Sequence, residues 1–311
     1  MKATLLSGGF ARMALFRAAL VLVFVACGNA KEATPDVDGG SNPAGCLPVA
    51  VAEQLDTPYV IRGDAASDAM TRLDIYPPPS DAICGRPIVV WVHGGAWSAG
   101  DKSNQMQDKI PLFHDLGAVA VSINYRLTTQ DNSVQHPDHV EDVAAAVAWV
   151  REHAVELGGD PDRIALLGHS AGAHLTALVV TNERFLAAHG LSAVDVACVG
   201  SYDSEYTVSE IVARDPIYAS VFTDDPAAWE DASPSAHVRA GLPPFQLACR
   251  GSNGRVAQCE AFAGSLQAAG GQVSVIDASS LSHEEVNSEI GRASDEIMTP
   301  KVREFLAQCF L

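Results

Sequence analysis

The stretch "DRIALLGHSAGAHLTALVV", residues 162–180, decides how this chain folds. Its first half is an apolar run of strand length, and its second half has the pattern of a buried helix. "GHSAG" (residues 168–172) sits at the join. Gly-x-Ser-x-Gly recurs by chance, so its placement carries the argument. At a sharp strand-to-helix turn the glycines relieve crowding, Ser170 projects above a sheet, and the Ala171 N–H points where an oxyanion would develop. A purely structural glycine-serine turn is the plain alternative.

Outward from this join the chain alternates strand and helix patterns, as a parallel sheet covered on both faces requires. "PIVVWVHGG" (87–95) and "AVAVSINYRL" (118–127) are continuous apolar runs that suit central strands, and "TRLDIYPP" (71–78) alternates like an earlier, half-exposed one. Residues 139–159 have helical periodicity and end at a glycine pair. Downstream, "VDVACVGS" (194–201), "FQLACRG" (245–251) and "QVSVIDAS" (272–279) read as strands, with helices over 260–271 and 298–310. The alternation breaks down between residues 202 and 242, where Tyr202, Tyr206, Tyr218, Phe222 and Trp229 stand among acidic and small residues. This segment is either a cap over a site or a packed connecting excursion.

The formal charge of −18 over 311 residues, with no basic run, excludes a nucleic-acid role. Residues 1–26 read as an export signal: Lys2, Arg12 and Arg17 supply positive charge around the apolar run "MALFRAALVLVFVA", which Arg17 makes too short to span a bilayer. "FVAC" resembles the bacterial lipobox and marks Cys27 for lipidation; cleavage after Ala30 is the alternative. The chain is therefore expected to be exported from a bacterial cell and anchored through Cys27, or otherwise periplasmic or secreted. Its acidic surface would not favour anionic lipid, so membrane contact would rest on that anchor. Residues 27–45 are polar and punctuated by Gly and Pro, a flexible tether ahead of one domain over 46–311. That domain holds Cys46, Cys84, Cys198, Cys249, Cys259 and Cys309. An even number suggests disulfides, with Cys198 and Cys249 alternatively plain strand residues, and the spacing matches no metal-ligand set.

"HGGAW" (93–97) follows the first central strand, and Gly94 and Gly95 let their N–H groups approach the same oxyanion as Ala171. Of ten histidines, His283 in "SSLSHEEV" follows the last strand, where a loop would bring its imidazole to Ser170. His174, on the helix after Ser170, is expected to be packed, and His136 and His139 in "HPDHVED" to mark a solvated helix start rather than a metal site. Trp97 is a candidate wall of the substrate pocket.

With these motifs in place, the chain from about residue 74 to 306 resembles an α/β-hydrolase of the esterase/lipase group with an HGG oxyanion motif. It is most similar to the feruloyl and acetylxylan esterase-like branch and, further off, to kynurenine formamidase. The stretches that carry the likeness are "VVWVHGGAWSAGDKS", "VEDVAAAVAWVREHAVELGGDPDRIALLGHSAGAHL", "ASPSAHV" with "PPF", and the His283 segment through "EIG". The resemblance implies a mostly parallel eight-stranded sheet with helices on both faces and a small cap-like excursion. It also implies a Ser170–His283 pair, oxyanion donors at Gly94, Gly95 and Ala171, and hydrolysis of a small-molecule or polysaccharide-linked carboxylic ester without metal or organic cofactor.

One position departs from the pattern. The family usually carries its third catalytic residue as G-x-x-D after the seventh strand, and counting from Gly251 puts Gly254 there. Asn253 next to it could accept the imidazole N–H, as an Asn does in Cys-His-Asn sites. Asp203, in "SYDSEY" after the sixth strand, could supply the acid, although a Y-D pair there is also common for other reasons; Glu260 is a further candidate. A broken triad would leave a slow hydrolase, or a non-catalytic binding protein, while an arylformamidase-like amide hydrolase is the enzyme alternative.

Overall fold

The structure, a computed structural model, describes residues 51–79 and 85–311. The expected export signal, the tether, Cys27, Cys46 and Cys84 lie outside the described residues. Strand β1 (Gln54–Pro58) and helix α1 (Ala65–Met70) lead to β2 (Arg72–Tyr76) and β3 (Arg86–Val92). Then follow α2 (Lys109–Asp115), β4 (Val119–Ile123), α3 (Asp138–His153), β5 (Gly159–His169), α4 (Ala171–Thr181), α5 (Glu183–Ala187) and β6 (Cys198–Tyr202). Three short helices, α6 (Val208–Arg214), α7 (Ala219–Phe222) and α8 (Pro226–Asp231), precede β7 (Phe245–Cys249). The chain closes with α9 (Asn253–Ala268), β8 (Val273–Asp277), α10 (His283–Ser288) and α11 (Met298–Cys309).

The eight strands form one open sheet in the order β1-β2-β4-β3-β5-β6-β7-β8. From β4 through β8 all neighbours are parallel, and β2 runs antiparallel to both β1 and β4. The period of two along each central strand divides the core into two halves. Ile88, Val90, Val92, Val121, Ile123, Ile164 and Leu166 belong to one cluster with Val140, Leu175 and Phe262 of α3, α4 and α9. Val89, Trp91, Ala120, Ala165 and Leu167 belong to the other with Leu112, Phe113, Val302 and Leu306 of α2 and α11. Burial on both faces is why these strands read as unbroken apolar runs.

Among the described residues two disulfides tie this frame: Cys198 at the start of β6 to Cys309 at the end of α11, and Cys249 at the end of β7 to Cys259 within α9. Both strand cysteines are thus bridged, not merely packed. The segment from 202 to 242 is a helical excursion fastened by its aromatics. Tyr206 stacks on Phe262 at 4.1 Å, Phe222 meets Trp97 edge-on at 4.9 Å, and the Trp229 indole N–H donates to the Thr223 carbonyl.

Two local expectations differ from the structure, and one strand, β1, has no signal in the sequence. His136 and His139 are buried, not solvated: His136 Nε2 bonds Asp231 Oδ2 at 2.8 Å, and His139 Nε2 meets the Thr128 hydroxyl. β1 is polar and largely exposed, so no hydrophobic pattern announces it. His283 starts a helix instead of lying in a loop: Ser282 accepts from the Glu285 N–H while the Glu285 carboxylate accepts from the Ser282 N–H, a reciprocal cap.

Candidate active site

Ser170 follows the last residue of β5 and precedes the first of α4, with φ 56° and ψ −120°. A side chain held at positive φ is strained, and the surroundings enforce it. Ser170 N–H donates to the Tyr202 carbonyl, keeping the chain in register with β6 up to the serine itself. A Cβ at Gly172 would lie 2.1 Å from the Val92 carbonyl oxygen, so only glycine lets α4 start this close to β3.

The serine hydroxyl lies 2.9 Å from His283 Nε2, and His283 Nδ1 lies 2.5 Å from Asp203 Oδ2. Assigned from this network, Nδ1–H donates to the carboxylate and Nε2 accepts from Ser170 O–H. His169 braces the imidazole from below. Its Nε2–H donates to the His283 carbonyl at 2.9 Å, and the two rings lie 4.5 Å apart. Burial, helped by the neighbouring His283, lowers His169 to about 3 and keeps it neutral. His174 is fully buried against Trp97, as expected, and burial lowers it likewise to about 3.

Asp203 is the carboxylate hydrogen-bonded to His283 Nδ1, and Asn253 makes no such contact. Asp203 follows β6 at φ 56°, with its N–H bonded to the Ala248 carbonyl of the neighbouring β7. Both carboxylate oxygens are engaged: Oδ2 accepts from His283 and from Arg250 Nε, and Oδ1 accepts from Arg255 at 2.8 Å. Burial pushes this carboxyl up, but the His283 and Arg250 hydrogen bonds and the Arg255 charge prevail and hold it at about 2. Asn253 and Glu260, by contrast, are exposed residues of α9, and a Cβ at Gly254 would meet open space. The two arginines are the residues the sequence reading missed; their signal was "CRGSNGR", two cations where an acid was sought.

On the other side of Ser170, residues 93–104 form a fastened loop. Ser98 and Ala99 N–H groups donate to the Gly95 carbonyl, and the Asn124 side chain bridges Lys102 N–H and Asp101. A Cβ at Gly94 would lie 3.0 Å from Ser170 Cβ, so the Gly94 backbone is packed directly on the serine. Two clefts meet at Ser170. The smaller, about 200 Å³, is lined by Trp97, Glu205, Arg214, Tyr218 and Arg255. The larger, about 740 Å³, runs past Gly94, Gly95, Asn104, Gln105 and Glu284, and Tyr218 forms part of both walls. Trp97 does line a cleft, yet it is 95% buried in rings of His174, Tyr218 and Phe222, so packing is its larger share. His169, Asp203 and His283 bring ligand-type atoms within 4.8 Å of one another, the one such group among the described residues. Each is committed to the hydrogen bonds above, which suit a serine, imidazole and carboxylate in line.

The BD-FAE family profile matches residues 73–262, more than half of the chain. The chain belongs to the BD-FAE family. The BD-FAE match includes Ser170, Asp203 and Gly254 and stops before His283. Among curated proteins, Esterase LipQ of Mycobacterium tuberculosis is 33% identical over 70% of this chain and 54% of its own length. The probable carboxylic ester hydrolase LipM of the same organism is 34% identical over 56% and 43%. The chain thus spans about half the length of these relatives. Apo Thermogutta terrifontis esterase 2 superposes with a TM-score of 0.65 at 25% identity, covering 85% of this chain and 94% of that one. The same esterase phosphonylated by cyclosarin gives 0.62 at 28%, covering 75% and 86%. This BD-FAE chain therefore has the α/β-hydrolase fold of the esterase/lipase group.

Proposed function

We propose that the chain is a serine carboxylesterase. The observation that carries this reading is the continuous line Ser170 Oγ–His283 Nε2–Asp203, at 2.9 and 2.5 Å. His283 Nε2 takes the hydroxyl proton as Ser170 Oγ attacks the ester carbonyl, and Asp203 holds the imidazole tautomer and the imidazolium that forms. The N–H groups of Gly94, Gly95 and Ala171 stabilise the tetrahedral oxyanion. Collapse expels the alcohol, which takes the proton from His283. Water then repeats the sequence on the acyl-enzyme and releases the acid. Cyclosarin phosphonylation of the Thermogutta terrifontis esterase is chemistry of an activated nucleophile and supports the same reading here. The binding-protein reading rested on a missing acid, and the Asp203–His283 hydrogen bond counts against it.

The substrate class is small-molecule carboxylic esters, in keeping with the names of the relatives. Polysaccharide-linked esters are the finer proposal, since the larger cleft opens beside Ser170. The test is hydrolysis of p-nitrophenyl acetate and butyrate by wild type and Ser170→Ala, with a fluorophosphonate probe read by mass. Loss of turnover and of labelling in Ser170→Ala supports the esterase. Equal inertness of both proteins, with Ser170 unlabelled in wild type, would sink it.

We also infer export through residues 1–26 and lipidation at Cys27, on the residue pattern alone. Membrane fractionation of wild type against Cys27→Ala tests this: equal amounts of soluble protein would contradict it.

A further inference from the structure

The turn between β7 and α9 is the place where the resemblance led an acid to be expected, and it carries cations instead. Arg250 follows β7 directly and Arg255 lies in the first turn of α9. Arg250 donates to the same Asp203 oxygen that takes His283 Nδ1–H, and Arg255 fills the other. Arg255 also reaches Glu205 at 2.8 Å, and Arg214 of α6 pairs with both oxygens of Glu205. Both arginines on Asp203 are largely covered, with side chains 18% and 24% exposed. The ends of this turn are joined covalently by Cys249–Cys259, with 5.7 Å between their Cα atoms. A carboxylate arriving from β6 has no neighbour of its own strand to fix its rotation. Two guanidinium groups on a segment closed by a disulfide between residues ten apart in sequence supply that constraint.

We propose that the disulfide-tied turn from Cys249 to Cys259 is the positioning element of the site, with Arg250 and Arg255 as positioning residues that hold Asp203 on His283. This rests on the esterase reading above. The turn that would ordinarily carry the acid now grips an acid from the next strand. Its charges matter as well as its geometry. The charged and titratable groups around Asp203 and His283 are Glu205, Arg214, Asp215, Arg250, Arg255, His169, Tyr218 and Glu284, with Lys109 near His169. Arg250 and Arg255 offset part of the attraction between Asp203 and a protonated imidazole. Removing Arg255 therefore favours the imidazolium and moves the acidic limb of the pH–rate profile to higher pH. A residue that merely held the fold would lower activity without moving that limb.

The test measures kcat, KM and the pH dependence of kcat/KM for p-nitrophenyl butyrate with wild type, Arg255→Met, Arg255→Lys, Arg250→Gln and the pair Cys249→Ser/Cys259→Ser. The pair Cys198→Ser/Cys309→Ser serves as the control, because it lies at the opposite end of β6. Arg255→Met is expected to lower kcat about 10- to 100-fold at nearly constant KM and to shift the acidic limb upward by about half a pH unit. Arg255→Lys restores the limb position but only part of kcat, since an ammonium keeps the charge and loses the fork. Cys249→Ser/Cys259→Ser lowers kcat where the control pair does not. Near-UV circular dichroism establishes that each variant is folded. If Arg255→Met does not fold, Arg250→Gln and the serine pair carry the test. Folded variants with unchanged kcat and an unmoved limb, beside an active wild type, overturn the clamp alone. An inert wild type with unlabelled Ser170 overturns the esterase reading beneath it.

Discussion

Asp203 Oδ2 accepts the Nδ1–H of His283 at 2.5 Å, joining the end of β6 to the first residue of α10 across 80 residues of chain. Ser170 directly follows the neighbouring β5, so serine and acid stand just past the carboxyl ends of adjacent parallel strands. In open α/β sheets the crevice beyond those ends is where ligands bind. The imidazole is delivered between them by a capped helix, whose reciprocal Ser282–Glu285 bonds fix its first turn. The line thus depends on three elements that the sheet order brings together.

Acid should destabilise this protein early. Burial lowers His139, His169 and His174 to about 3 in the fold. An unfolded histidine titrates near ~6.5, so the unfolded chain binds more protons between those values. Stability accordingly falls as pH drops from about 6.5 toward 3, by about 1.4 kcal/mol per pH unit for each histidine. Asp203 works further down: held at about 2, it contributes stability above its unfolded value of ~3.9 that is lost as pH falls through the folded one. Urea midpoints at roughly pH 8, 6.5 and 5 check the histidine range. A midpoint that holds steady down to the lowest of these would contradict it.

Trp97→Ala should injure the fold and the cleft together. The ring is buried against His174, Tyr218 and Phe222 and walls the smaller cleft. Truncation is expected to cost about 3–5 kcal/mol and to raise KM as the wall relaxes. Trp97→Phe, which keeps an aromatic ring, should lose less of both. A variant with wild-type urea midpoint and wild-type KM would refute the packing role.

The Cys198–Cys309 bridge should matter to stability and not to turnover. It closes a loop with a sequence separation of 111, for which a loss of about 2–4 kcal/mol is typical. Cys198 starts β6, whereas Asp203 follows its other end. Cys198→Ser/Cys309→Ser should therefore melt earlier while kcat/KM stays within about twofold. A fall in kcat/KM at full folding would show coupling along β6.

What the sequence disclosed, it disclosed through short-range physics. Ser170 is legible because a strand, a glycine turn and a helix are contiguous in the chain, and Gly94 and Gly95 because they come just after a strand. The central strands are legible because burial on both faces leaves mostly apolar residues, with Ser122, Ser201 and Gln246 among the buried polar exceptions. Asp203 was readable only as one candidate among several, because its task is defined by a contact 80 residues away. The nearer Asn253 drew attention by position, but it is exposed at the start of α9, and Arg255 two residues on is the side chain of that turn that reaches Asp203. His136 misleads for the same reason: it is buried and hydrogen-bonded to Asp231, 95 residues on. The "SHEE" cap before α10 was a local signal and could have placed His283 on a helix from the start.

The measurement that tests the central claim most directly is kcat/KM for p-nitrophenyl butyrate in Asp203→Asn beside Asn253→Ala. An amide at Asp203 preserves shape but favours the wrong imidazole tautomer, which in a serine protease lowers turnover about 10⁴-fold. A loss of that order in Asp203→Asn, with Asn253→Ala near wild type, is the predicted result. Asp203→Asn retaining wild-type turnover while Asn253→Ala collapses would contradict the account.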